Sequence, residues 1–292
     1  MSRSAEPRMA PWLLLAPFFA VFGVFVVVPL ARSVGLAGQQ TFGPTAERWV
    51  GLDNFTFLLH DPLFHTAVRN TLVFTAGSVF IQLPLSLGLA LLLNRPDVRG
   101  RAWYRLAFFS PQLVGLVFLA ILSGVVFQKR TGLLNQALHG LFGVPLDFPW
   151  LDEHVMWTLI LACLWMWVGF NMVYFLAALQ NVDRQLVEAS LLDGAGPFRR
   201  FTAVTLPAIR PVAGFIVLLS IIGSLQLFEL PYLLLHGGGP DNRGLTIVTY
   251  LYQTGFENFN DLGYASAIGW VLALMLVGFT LLQRVAARGE AA

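Results

Sequence analysis

Residues 188–207 read EASLLDGAGPFRRFTAVTLP, from Glu188 to Pro207. They place two acids, two arginines, two glycines and two prolines between two of the most hydrophobic runs of the chain. Leu186, Val187, Ala189, Leu191 and Leu192 give residues 185–193 an apolar side, and Glu188 and Asp193 give it a polar one, the pattern of a short amphipathic helix. Gly194 is placed to end that helix. Ala195 and Gly196 make a joint, and Pro197 suits the first turn of a second short helix carrying Arg199 and Arg200. Pro207 and Pro211 mark the return to apolar sequence and predict a fixed bend there. Periodicity alone leaves two readings open: an interfacial cover drawn to anionic lipid by its arginines, or a knob that enters a partner's cleft.

The flanking sequence says where such a loop can lie. Of 292 residues, 57% are hydrophobic and 12% charged, with mean hydropathy +0.70; soluble domains carry about 25% charged residues. Six apolar runs stand out, at 12–30, 71–93, 108–127, 155–179, 212–235 and 265–282. As helices, runs of this length extend roughly 27–38 Å, enough for a hydrocarbon core of about 30 Å. Helices are required because backbone amides find no water in lipid, and the runs lack the alternation of barrel strands. The expected fold class is therefore all-α: a polytopic membrane protein, one domain over residues 1–292, with six transmembrane helices and a polar loop at 183–211.

The first run follows Arg3 and Arg8 and exceeds the usual apolar core of a secretory signal, about 7–15 residues, so it is expected to be retained as a span. With the amino terminus inside, residues 1–11, 94–107, 180–211 and 283–292 hold twelve of the 18 Lys and Arg, while all five histidines fall outside. The positive-inside rule then puts both termini and the polar loop in the cytoplasm. A net charge of +2 points to no nucleic-acid partner. Cys163 is the single cysteine, so no intrachain disulfide or Cys-based zinc site is possible, and no histidine pair stands at metal-ligand spacing. Lys129, the only lysine, follows Gln128 and not a glycine, so the chain holds no P-loop and any ATP-driven engine lies on another subunit.

The polar loop resembles the cytoplasmic signature of binding-protein-dependent ABC importer permeases: Glu-Ala-Ala, three residues, Gly, nine residues, Ile, one residue, Leu-Pro. Glu188, Ala189 and Ser190 begin it, Gly194 follows at the right interval, and Val204, Leu206 and Pro207 close it; Ser190 replaces the second alanine and Val204 the isoleucine. "DGAGPFRRF", with Asp193 and Gly194, is similar to the sugar-transporting branch. So are "VGLDNF" at 50–55, "RNTLVFT" at 69–75, "LGLALLLNR" at 87–95, "GGGP" at 237–240 and "GYASAIGW" at 263–270. Each motif is weak; their order along six spans is specific. The resemblance implies the MetI-like permease fold of carbohydrate importers of the maltose and glycerol-phosphate type, in a bacterial inner membrane. It also implies a second permease, favouring a heterodimer, two ATPase subunits that hold ATP and magnesium, and an external solute-binding protein seated on the outer loops. Glu188, with Arg199 and Arg200 flanking, would meet the ATPase.

A solute pathway is expected beside the loop. Trp167, Phe170, Asn171 and Tyr174 recur at intervals of three and four and share one helical face. Rings stack on the apolar face of a sugar and an amide exchanges hydrogen bonds with hydroxyls, although aromatics are also common as packing or belt residues. In the fifth run Ser220, Gly223 and Ser224 lie together, and Gln226 and Glu229 add polarity. Small residues also mark close helix packing, and Glu229 could sit in water near the outer surface or at a break made by Pro231. The absence of arginine within any run argues against a phosphorylated solute. A carrier driven by an ion gradient, with Glu229 as its ion site, is the alternative; the third and fifth runs share no motif that would mark it.

Overall fold

The computed structural model describes residues 10–42, 46–258 and 260–289; Arg3, Arg8 and the last residues, on which the orientation of the termini partly rests, lie outside them. The chain begins with α1 (Ala10–Phe22) and α2 (Val28–Ala37), joined by a wide π-type turn, then an antiparallel hairpin of β1 (Gln39–Phe42) and β2 (Ala46–Trp49), and α3 (Asp53–His60). Next come α4 (Pro62–Gly77), α5 (Leu83–Asn94), α6 (Arg101–Phe109), α7 (Leu116–Val126), α8 (Leu133–Phe142) and α9 (Val155–Gln180). α10 (Arg184–Leu192), α11 (Pro197–Arg200), α12 (Leu206–Leu225), α13 (Glu229–Leu235), α14 (Ile247–Tyr252) and α15 (Leu262–Gly289) complete it.

Trp12–Ala37, Pro62–Asn94, Val155–Gln180, Pro197–Leu235 and Leu262–Val285 are long and apolar enough to cross a bilayer. The third expected span, 108–127, differs: Arg101–Leu113 and Leu116–Val126 meet at a 98° bend, and count as a sixth span only as a bent pair. Its cause is local. Ser110–Leu113 tightens into a 3-10 turn, and Gly115 takes φ 87°, which ends the helix. Two other boundaries also moved. The stretch 31–70, left between the first two expected spans, already contains α3 and the first turns of α4, and the fifth span is helical from Pro197 on, not from residue 212.

No helix break falls at Pro207 or Pro211. Helix runs unbroken from Pro197 to Leu225, and the strain is absorbed upstream by a π turn at Phe201–Thr205, where the Leu206 amide donates to the Phe201 carbonyl. The same device precedes Pro29, at Gly23–Val27, and Pro84, at Ser78–Gln82. A proline lacks the amide hydrogen and its ring collides with the carbonyl four residues back; widening the preceding turn removes the collision without breaking the rod. The break in this span comes instead at Gln226–Phe228. Pro231 follows it, within the first turn of α13, where a missing amide hydrogen costs no helix bond.

Two compact units are distinguished: the residues up to Asp61 with Leu251–Val271, and Pro62–Tyr250 with the residues from Leu272 on. In the first, Asp261 ties the hairpin to the start of α15, its Oδ1 accepting from the Thr41 amide (3.2 Å) and the Tyr264 amide (3.0 Å). The Tyr264 hydroxyl donates to Asp61 Oδ2 at 2.6 Å, and Asn54 Nδ2 donates to the Ala37 and Gln39 carbonyls.

The second unit holds two apolar clusters. In one, Leu93 of α5, Met172, Phe175 and Leu179 of α9, and Ile209 and Ile216 of α12 pack together. In the other, Phe74, Leu119, Leu159, Ile160, Cys163 and Leu230 do so. Leu93 and Leu179 end their helices beside Ile209, so residues 95–100 and 181–196 emerge at the same end of this unit. Trp150 packs on the other cluster and donates from Nε1 to Asn135 Oδ1 at 2.8 Å, with its carbonyl accepting from Thr158 Oγ1, which anchors the 128–154 segment at the opposite end.

Candidate functional site

A cavity of about 390 Å³ opens in the second unit between α4 with its π turn, α7, α9, α12 and the break before α13. All nine residues expected on a solute pathway line it: Trp167, Phe170, Asn171 and Tyr174 from α9, Ser220, Gly223 and Ser224 from α12, and Gln226 and Glu229 from the break. The three- and four-residue spacing on α9 makes a ladder of rings. Trp167 meets Phe170 edge-on at 5.6 Å, and Phe170 meets Tyr174 edge-on at 5.0 Å. Phe109 stacks on Phe170 from α6 at 6.5 Å and holds the ladder from behind. Asn171 is buried at the ladder's centre, and its amide makes no hydrogen bond with the described residues.

On α12, Gly223 does not serve close helix packing within this chain. A methyl group built on Gly223 would meet nothing within 4 Å, so the missing side chain enlarges the cavity. Ser224 turns its hydroxyl back to the Ser220 carbonyl at 2.7 Å and shows the cavity its weaker acceptor side. Glu229 opens α13, is exposed and lines the cavity. The sequence reading omitted Phe74, Ser78 and Gln82. Their spacing of four was visible, and Gln82 is the one amide in the run 71–93. Gln82 is buried, with its side chain making no hydrogen bond among the described residues. Among those residues no group of three His, Cys, Asp or Glu side chains converges.

The 183–211 segment lies at the end of the unit where α9 leaves the apolar core. Asp183 caps α10, its Oδ1 accepting from the Gln185 amide at 2.8 Å. Two bonds then reverse the chain: the Gly194 amide donates to the Leu191 carbonyl and the Ala195 amide to the Ser190 carbonyl. This is the paired closure of a helix by a left-handed residue, and Gly194 has φ 72°. Gly196 caps and Pro197 opens α11, as the residue order predicts. Glu188, Ala189, Asp193, Gly194, Arg199 and Pro207 are exposed, Leu206 is 39% exposed, and Ser190 and Arg200 are half-buried. Glu188, Asp193, Arg199 and Arg200 form no ion pair with the described residues. Leu192 is 90% and Phe198 79% exposed, one on each side of the turn. Phe198 was missed, although an aromatic beside Pro197 in a charged loop has no packing reason visible in the sequence. The turn thus presents an exposed apolar pair among charges that make no ion pair with the described residues.

The family model described as "Binding-protein-dependent transport system inner membrane component" matches residues 82–289. The chain is 38% identical over 279 residues to the arabinooligosaccharides transport system permease protein AraP of Bacillus subtilis (strain 168), covering 94% of this chain and 88% of that one. It is 36% identical to the lactose transport system permease protein LacF of Rhizobium radiobacter, covering 95% and 93%. In fold it matches a chain of the crystal structure of a bacterial alginate ABC transporter in complex with alginate pentasaccharide-bound periplasmic protein. That match has a TM-score of 0.83 at 23% identity and covers 96% and 94% of the two chains.

Proposed function

The chain belongs to the binding-protein-dependent transport system inner membrane components and is a permease subunit of a sugar ABC importer, and from that premise we propose how its parts act. The cavity beside the Trp167–Phe170–Tyr174 ladder is this chain's half of the passage for a sugar, the solute class named for its relatives. The other half comes from a second, different permease. The segment 183–211 docks on a separate ATPase that holds ATP and magnesium, and an external binding protein delivers the solute to the loops at the opposite end. Chain termini and docking segment face the cytoplasm of a bacterial inner membrane, in line with the distribution of arginines.

One observation carries this reading: the helix that starts at Pro197 continues unbroken to Leu225, so the rod that bears Arg199 and Arg200 also bears Ser220 and Ser224 of the cavity wall. At 1.5 Å per residue it is about 40 Å long. When the ATPases close, such a rod carries displacement from the docked turn to the cavity without loss at a hinge, as a two-state bundle requires. Proteoliposomes holding the assembled importer test it. Uptake should stop with vanadate and persist with an ionophore, and Glu188→Lys should abolish uptake while the complex still inserts. Uptake that an ionophore stops and vanadate spares would return the chain to the ion-gradient carriers.

A further inference from the structure

The cavity wall carries one charge. Glu229 supplies a carboxylate, and among the described lining residues there is no Lys, Arg or His. Its other polar groups are neutral: the amides of Gln82, Asn171 and Gln226, the hydroxyls of Ser78 and Ser220, and the Tyr174 phenol. Glu229 has no ion pair or hydrogen bond with the described residues, so none of them neutralises it. The buried Asn171 and Gln82 amides, 7% and 5% exposed, each offer a donor and an acceptor to the cavity and find no partner in the wall. Buried amides normally find a partner, and the hydroxyls of a saccharide satisfy donor and acceptor together, so the amides fit a sugar and the discrimination by charge falls to Glu229.

From this arrangement we infer that the pathway selects by charge: it takes uncharged saccharides and rejects anionic ones, with Glu229 as the discriminating group. The inference rests on the sugar-permease reading above and narrows its solute class. At about 6 Å and an effective dielectric near 20, two like charges repel enough to weaken binding roughly a hundredfold; water at the exposed side of Glu229 reduces that to at least about tenfold. A uronic acid or phosphorylated sugar would meet that repulsion with no cation among this chain's described lining residues to offset it, whereas the ring ladder and the amides serve a neutral ring.

The test uses the assembled membrane complex, both permeases with the ATPase, in nanodiscs and without the external binding protein, whose own preference would otherwise intervene. Saturation-transfer NMR at millimolar concentration compares lactose with digalacturonate and cellobiose with cellobiouronate. The neutral member of each pair should give a signal that Trp167→Ala removes, and the uronate should bind at least tenfold more weakly. Glu229→Gln, nearly isosteric and at an exposed position, should close most of that gap, and Glu229→Arg should reverse it. Uronates that bind the unaltered complex within twofold of their neutral partners overturn the inference. So does a gap that both Glu229 variants leave unchanged, which would place the selecting charge on the second permease. No Trp167-dependent signal from any of the four saccharides would overturn the sugar reading itself, and the charge rule with it; the vanadate and ionophore comparison would still report separately on ATP coupling.

Discussion

Gly169 sits where there is space for a hydrogen atom and nothing larger. A methyl group added there would lie 1.7 Å from the Phe108 carbonyl oxygen, a backbone atom that no side-chain rotation can move. Gly169→Ala is expected to destabilise the protein by at least about 2 kcal/mol, the cost of overpacking a tight contact, and to lower its thermal midpoint in detergent. Gly223→Ala, whose added methyl meets nothing within 4 Å, should not lower that midpoint and should act on the cavity. The two glycines look alike in the sequence. Gly223 was legible because Ser220 and Gln226 stand at helical spacing on either side of it, whereas Gly169 was not, since its partner lies 61 residues away in the chain. Helical spacing exposes what one helix shows to a cavity and is silent about what presses on it from another. For the same reason the ladder of α9 could be read directly and the stacking of Phe109 behind it could not.

The break between α12 and α13 is held open by a strap from further along the chain. Thr246, fully buried, donates its hydroxyl to the Leu227 carbonyl at 2.7 Å and shares a bond of 2.8 Å with the Thr249 hydroxyl. Upstream, Asn70 Nδ2 donates to the Asn242 and Leu245 carbonyls, and Thr71 Oγ1 accepts from the Ile247 amide. Thr246→Val removes the donor and leaves the Leu227 carbonyl without it. A loss of about 1–3 kcal/mol follows, and hydrogen exchange at residues 226–229 should quicken while α9 stays protected. Equal protection across the break in the variant would show that Leu227 is held by packing alone. These contacts give physical work to "RNTLVFT" and to the residues after "GGGP", which looked like weak family marks in the sequence. The π turns were illegible for another reason: hydrophobic patterning locates a proline but does not tell a kink from a widened turn, because both keep the apolar face.

For the molecule as a whole, the alternation of ends is open to direct test, and the chain is suited to it. Cys163 is its only thiol and is 2% exposed, so an unaltered sample should stay dark to a membrane-impermeant maleimide. Leu192→Cys, at the end of α10, and Leu141→Cys, on α8, replace side chains 90% and 75% exposed. In right-side-out vesicles Leu141→Cys should label at once and Leu192→Cys only after permeabilisation; simultaneous labelling would contradict the orientation read from the arginines. Composition was enough to declare a membrane protein and to locate five of its six expected spans, because the cost of lipid exposure acts on every residue of a run. It could not show that residues 101–126 turn through 98°, since a bent pair and a straight span have the same hydropathy.

The contact between Phe108 and Gly169 bears on motion as well as on stability. With backbone laid against backbone there is no slip plane between α6 and α9, so the two must travel as a single strut. On the function proposed above, in which α9 tilts to open or close the passage, residues 95–101 with their three arginines would be carried with it, at the end of the unit where residues 181–196 emerge. Spin labels at Arg99 and Asn181 should therefore keep one spacing through the transport cycle while pairs placed across the cavity change theirs.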